Sequence, residues 1–398
     1  MIQIINKLFS SWNHNGIVYC SWKGNSHIDN AMRGLSDFDI LIDKSSVNLG
    51  TELLKSAGFI LCRPQNCETD PGTQDWIGID ENTGTMIHIH LHLYMIAGQS
   101  GVMEYILPWS GLAFSTRQLN QENGVFQMNP SLELILLYTR FGIEHSPKKL
   151  MKSKGGWVLK EKTKKEVLYL KERMIITLCQ GMAKDLFPTC YDALMRIIEK
   201  SELNANDIKQ LTNLMRDACS KWMRYGRLRT MFLKERRKYT TIVRNKWLNG
   251  TLRGIYRKVP VSGNGLTVAF VGKDGTGRTM LAKDVLKWLN WKLDANYIYV
   301  GDYEIAPPPH SAMSESRSHE YQKRYNGISH LINKGIKLAA KGSVILFDRY
   351  PLEKGDEQIN KYPKPDIVIY ADDSIPYKED LLRVKKSIWE HLNNPEYA

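Results

Sequence analysis

The run Leu266-Thr267-Val268-Ala269-Phe270-Val271-Gly272-Lys273-Asp274-Gly275-Thr276-Gly277-Arg278-Thr279 decides how the C-terminal part of this chain must fold. It opens on an unbroken apolar and β-branched stretch, the pattern of a strand buried on both faces of a parallel sheet. The glycines that follow let consecutive backbone N–H groups turn inward around phosphate oxygens. Arg278–Leu289 then carries Met280, Leu281, Val285, Leu286 and Leu289 on one side, as a helix does. A helix N-terminus at that loop adds the positive end of its dipole. The spacing is G-x-x-x-x-G-K-[ST] with Arg278 where lysine is usual. Gly272, Lys273, Gly275, Thr276, Gly277, Arg278 and Thr279 are therefore the candidate nucleotide contacts, with the Thr279 hydroxyl offered to Mg2+.

Outward from this loop, Val344-Ile345-Leu346-Phe347-Asp348 is an apolar strand ending in a carboxylate, which can hold the same Mg2+ from the opposite side. Strand-like runs at 297–300 and 367–370, with a helical pattern over 328–340, extend the alternation of strand and helix that marks a parallel α/β sheet. Asp274-Gly275-Thr276-Gly277, Asp348-Arg349-Tyr350 and Lys364-Pro365-Asp366-Ile367-Val368-Ile369-Tyr370 together resemble the thymidylate kinase family, in the expected order, over residues 266–372. The resemblance implies a P-loop kinase using ATP and Mg2+, with Asp348 at the metal centre, Arg349 on the acceptor phosphate and Asp274 near the acceptor. The chain departs from that family at Arg278, in the short interval between Tyr350 and Asp366, and in ending soon after Tyr370. Lys378, Arg383, Lys385 and Lys386 are candidates for a reduced basic lid.

A second constellation lies near the N-terminus. Trp22-Lys23-Gly24-Asn25-Ser26 precedes Ser36-Asp37-Phe38-Asp39-Ile40-Leu41-Ile42, in which alternation puts the Asp37 and Asp39 carboxylates on one strand face. Two such carboxylates can hold a divalent cation that bridges nucleotide phosphates. This arrangement resembles the polymerase-β-type nucleotidyltransferase superfamily. The resemblance implies Gly24 and Ser26 on the phosphate side, Asp37 and Asp39 as metal ligands, and a third carboxylate on a neighbouring strand. At that strand stands Met86-Ile87-His88-Ile89-His90-Leu91-His92-Leu93, after a predicted hairpin turn at 81–84. Its alternating histidines share a face and suit either metal ligation, His90 among them, or acid–base work. The combination of the two halves resembles two-domain proteins encoded among bacterial surface-polysaccharide genes, which implies a small anionic metabolite as substrate.

The whole chain has 398 residues, 42% hydrophobic and 24% charged, a globular composition long enough for two or three domains. Its charge of +13 is uneven: −5 over residues 1–130, +17 over 131–262 and +1 over 263–398. These blocks predict a nucleotidyltransferase-like α+β domain, a basic helical connector and a P-loop parallel α/β domain, with Lys258–Gly265 as a linker. No apolar run reaches the roughly 18–20 residues that cross a bilayer, so no transmembrane segment is expected. The opening residues lack a signal-peptide pattern, and six scattered cysteines without a C-x-x-C pair fit a reducing, cytoplasmic setting. The basic middle interleaves cations with aromatics, which fits a helical spacer with its aromatics packed inward, an anionic polymer or membrane surface, or nucleic acid. The leading expectation is an ATP-dependent kinase acting on a small phosphorylated acceptor. The alternatives are nucleotidyl transfer at Asp37/Asp39, or a degraded nucleotide- or nucleic-acid-binding protein.

Overall fold

A computed structural model describes residues 2–64, 72–98, 102–144, 150–153, 156–249, 257–261, 263, 265–272, 275–301, 315–352, 362–371 and 374–394. The protein is mixed α/β and includes a parallel sheet. It divides into two compact units: Met1–Ala57, Glu68–Trp76 and Ile87–Val243 form the first, and Gly58–Cys67, Ile77–Met86 and Arg244–Ala398 the second. These packing boundaries differ from the charge blocks of the sequence, because charge is a property of the surface and compactness is set by apolar burial.

In the first unit, the strand Phe38–Ile42 lies between two neighbours. It pairs antiparallel with Tyr19–Ser21 and parallel with Met86–His92, in a register that sets Asp39 opposite His90 and Leu41 opposite His92. Strict alternation splits its residues between two environments. Phe38 faces the helix Gln3–His14, whose Phe9 ring stacks on Tyr19 and meets Phe38 edge-on. Leu41 faces the other way, into a core shared with Cys20, Trp22 and the helix Pro130–Glu144. That helix begins on a local cap: the Asn129 side chain accepts the Ser131 N–H at 2.9 Å, and Pro130 occupies the first helical position. Buried on nearly every side, it packs in the core of the unit. Gly142 lets it approach the helix Ala205–Ala218, since a Cβ there would stand 2.8 Å from the Leu211 carbonyl oxygen. Asp39 and the histidines thus share the sheet face on which this helical layer packs.

In the second unit, four parallel strands run in the order Ala295–Tyr299, Val344–Asp348, Leu266–Val271, Ile367–Tyr370. Both faces are covered. Val268, Phe270 and Leu346 pack on the helices Arg278–Leu289 and Tyr377–Asn393, while Ala269, Ile345 and Phe347 pack on Glu315–Ala339. Burial of each such side chain is worth about 1.5–3 kcal/mol, which is why these strands read as solid apolar runs. One sequence expectation needs correcting. Lys258–Pro260 is not linker but a strand, paired antiparallel with Ile60–Pro64, and Val259 is fully buried there. A proline at its end is tolerated because the pairing is at an edge.

Candidate functional site

The first unit gathers charge around one oxygen. Asp39 Oδ1 lies 3.1 Å from Lys23 Nζ, 3.3 Å from His90 Nδ1 and 3.3 Å from His92 Nε2. The strand register brings the imidazoles there, and Lys23 arrives from the segment after Tyr19–Ser21, fixed by a 3.1 Å bond from Trp22 N–H to the Asp39 carbonyl. Burial pushes the Asp39 carboxyl up, but the Lys23 charge and the two histidine hydrogen bonds outweigh it and hold the group well below the usual carboxylate range. Burial also lowers Lys23, an effect that Asp39 partly offsets. For His92, burial and the Lys23 charge bring the pKa down to about 3, so the ring is neutral at physiological pH. Its plane stands edge-on against Trp22 at 5.0 Å.

Asp37 goes elsewhere. Its Oδ1 is 2.9 Å from His88 Nδ1, and His88 Nε2 is 2.9 Å from Asp75 Oδ1, so a buried imidazole is bracketed by two carboxylates. Asp75 also lies 3.9 Å from His90 Nε2. It is a third carboxylate at this face, contributed by the strand Thr73–Ile79, and the sequence reading missed it. The strand that carries it, Thr73–Ile79, leads into the predicted turn at 81–84, so its place before that turn was the available signal.

Gly24 and Ser26 sit in the turn next to Lys23. Gly24 has φ +75° and opens a short 3-10 segment, Asn25–His27. Beneath it, Glu133 accepts the Asn25 backbone N–H at 3.1 Å and the Asn25 Nδ2 at 2.7 Å. Glu133 is 2% exposed. Burial raises its carboxyl to about 7, against the opposing pull of those hydrogen bonds. Nothing in the local sequence marks this glutamate, which lies 108 residues from its partner.

In the second unit, the loop after Leu266–Val271 leads into its helix through Gly277, at φ +71°. A side chain at Gly277 would meet no steric obstacle, so its glycine answers to backbone conformation alone. Asp348 ends the neighbouring strand and is fully buried. Its Oδ2 accepts from Thr279 Oγ1 at 2.7 Å and from Tyr297 O–H at 2.6 Å, and its Oδ1 faces Arg278 Nε at 3.2 Å. Burial and the bond to Asp348 hold the Tyr297 phenol well above its ordinary range. Arg278 also donates to the Gly272 carbonyl, so its guanidinium lies between the loop and the acid. Arg349 adopts φ +58°, unusual for a residue with a Cβ, and its guanidinium stands 5.7 Å over Tyr299. A cleft of about 390 Å³ adjoins the loop, lined by Gly275, Thr276 and Gly277 with Pro376 and Tyr377 opposite. Lys273 and Asp274 lie outside the described residues. Of the candidate lid cations, Arg383 is tied to Asp380 and Lys385 stands 5.5 Å over Trp288.

The basic segment is divided in its aromatics. Trp222 packs against Trp109 and Phe187. On the helix Arg227–Asn249, by contrast, Leu228, Met231, Phe232, Tyr239 and Val243 are exposed. No known family model matches the chain, and comparison with curated proteins finds no relative.

Proposed function

We propose that the second unit transfers the γ-phosphoryl group of Mg2+-bound ATP to a small anionic acceptor. The carrying observation is the 2.7 Å contact between Thr279 Oγ1 and Asp348 Oδ2, a hydroxyl and a carboxylate meeting at the carboxyl ends of adjacent parallel strands. Ligands of open α/β sheets bind at these ends. A hydroxyl after a glycine-rich loop, with an acid closing the next strand, is the oxygen donor set Mg2+ takes beside nucleotide phosphates. When bound, the ion neutralises charge on the phosphoryl oxygens.

Each residue then has a role. The N–H groups around Gly275 and Gly277 and the helix N-terminus hold phosphate oxygens. Thr279 and Asp348 hold the ion, Tyr297 orients Asp348, and Arg278 turns from the Gly272 carbonyl toward phosphate. Arg349 meets the acceptor. An acceptor oxygen bonds to the γ-phosphorus as the bond to the β–γ bridging oxygen breaks, and ADP leaves. The test is ATP labelled separately at its α and γ phosphorus, incubated with protein, Mg2+ and a bacterial metabolite extract. Label from γ alone in a new product supports this reading, and its absence overturns it.

A second reading places nucleotidyl transfer in the first unit, where Asp75 supplies a third carboxylate beside Asp37 and Asp39. Label from α in the product, with release of pyrophosphate, would identify it. The helix Arg227–Asn249 suits an anionic lipid surface as partner. It holds eight Lys and Arg against one Glu, and at 100° per residue its exposed apolar residues fall on one stripe. Among the described residues no helix is long and apolar enough to cross a membrane, so this contact would lie in the interface plane. Co-sedimentation with phosphatidylglycerol vesicles, weakening as salt rises, is the expected result. Equal sedimentation with neutral vesicles would refute it.

A further inference from the structure

We propose that Asp39, His90 and His92 form a three-ligand site for a borderline divalent transition metal ion of the zinc type, with the remaining coordination position open. This inference rests on neither reading above and concerns only which ion this face holds.

The donor geometry is the first argument. Metal–nitrogen bonds of about 2.0–2.1 Å in a tetrahedron put neighbouring donor atoms about 3.3–3.4 Å apart. Asp39 Oδ1 stands 3.3 Å from His90 Nδ1 and 3.3 Å from His92 Nε2, and the donor atoms of all three residues lie within 4.8 Å of one another. As hydrogen bonds, these distances are long, since N–H···O contacts centre near 2.9–3.0 Å. Three nitrogens, Lys23 included, converge on one oxygen that has two lone pairs. The convergence is better accounted for as a preformed ligand set in which the Lys23 ammonium takes the cation's place.

The surroundings are the second argument. His92 is locked, 2% exposed against Trp22, while His90 and Asp39 are 31% and 26% exposed and leave one side of the site open. Three protein ligands and an open position mark sites that bind water or substrate, whereas structural sites are closed. Behind His90, Asp75 is 3.9 Å from Nε2, within reach of the supporting carboxylate position that orients metal-bound imidazoles. Asp37 turns to His88, at 2.9 Å, and is not one of the three converging ligands. The donor class decides the ion. Two imidazoles and one carboxylate suit zinc-type ions, whereas Mg2+ demands oxygen donors.

The test uses tag-free full-length protein and Co2+ as a spectroscopic probe. We expect one Co2+ per chain after dialysis, with visible ligand-field bands of a low-coordinate site, displaced by Zn2+ but not by millimolar Mg2+. His90→Gln, at a partly exposed position, should weaken binding by at least about 100-fold, since even loss of an outer-shell partner costs roughly 10–100-fold. Lys23→Met should tighten binding, because it removes the competing cation. Asp348→Asn should leave binding unchanged. Absence of stoichiometric Co2+, unchanged binding in His90→Gln, weaker binding in Lys23→Met, loss of Co2+ in Asp348→Asn, or displacement by Mg2+ would each overturn the assignment.

Discussion

Asp39 and Asp348 are both strand carboxylates with three polar side-chain partners, yet their surroundings differ. Asp39 is partly exposed and meets nitrogen at every contact, from Lys23, His90 and His92. Asp348 is fully buried and meets two hydroxyls and a guanidinium. Nitrogen-rich, half-open surroundings favour a borderline metal. A dry pocket with two hydroxyls beside a glycine-rich loop suits the Mg2+ that we propose arrives with nucleotide. The same side chain is thus specialised by its neighbours' donor atoms and by access to water.

Substitutions can break this contrast, beginning with the largest effect. Asp348→Asn keeps the shape of the buried pocket, and we expect γ-phosphoryl transfer to fall on the order of 10³-fold with an unchanged circular dichroism spectrum. Asp348→Ala is a poorer probe. It removes the carboxylate that faces the buried Arg278, and we expect a loss of about 3 kcal/mol in denaturant unfolding. Wild-type transfer rates in Asp348→Asn would remove the proposed role of this acid.

Next is Glu133, beneath the Gly24 turn. Its folded-state pKa of about 7 lies above the ordinary glutamate value near 4.3, so the folded state binds the extra proton. Stability is therefore lost as pH rises from about 4.3 to 7, and by pH 8 the penalty is roughly 3 kcal/mol. Glu133→Gln should flatten that slope, which urea unfolding at pH 5 and pH 8 would read. A slope equal to wild type would show that Glu133 ionises normally.

Asp39→Asn comes third. The folded-state pKa of Asp39 lies well below its unfolded value, so its contribution is fully present above about pH 4 and fades as pH falls through the folded-state value. We expect a loss of about 2 kcal/mol at pH 7 that shrinks in acid. A loss that grew in acid would contradict the assigned sign. The smallest change in stability belongs to Leu228→Ser with Phe232→Ser on the exposed helix. Unfolding should shift by less than about 0.5 kcal/mol, while vesicle binding falls about tenfold. Unaltered vesicle binding would show that the stripe serves another purpose.

Much of the fold was written locally. Leu266–Val271 and Ile367–Tyr370 appear at the residues where their apolar runs predict strands, the first buried along its whole length and the second a half-buried edge strand. The Asn129-Pro130 helix start is equally local, since a cap is satisfied within its own first turn. The edge strand Lys258–Pro260 was not legible, because three residues become a strand only when Ile60–Pro64 lies beside them.

The candidate sites divide along the same line. Alternation alone assigned Asp37 and Asp39 to one face, and likewise His88, His90 and His92, because side-chain direction in a strand has period two. The loop spacing singled out Thr279, and the carboxylate ending an apolar strand singled out Asp348, each as a candidate Mg2+ ligand. Only the tertiary structure decided which histidine meets which acid, that Asp75 joins them, that Tyr297 holds Asp348, and that Glu133 supports the Gly24 turn. Those pairings depend on strand register and helix packing across tens of residues. Periodicity along a chain records which way a side chain points, and it carries no information about what stands opposite.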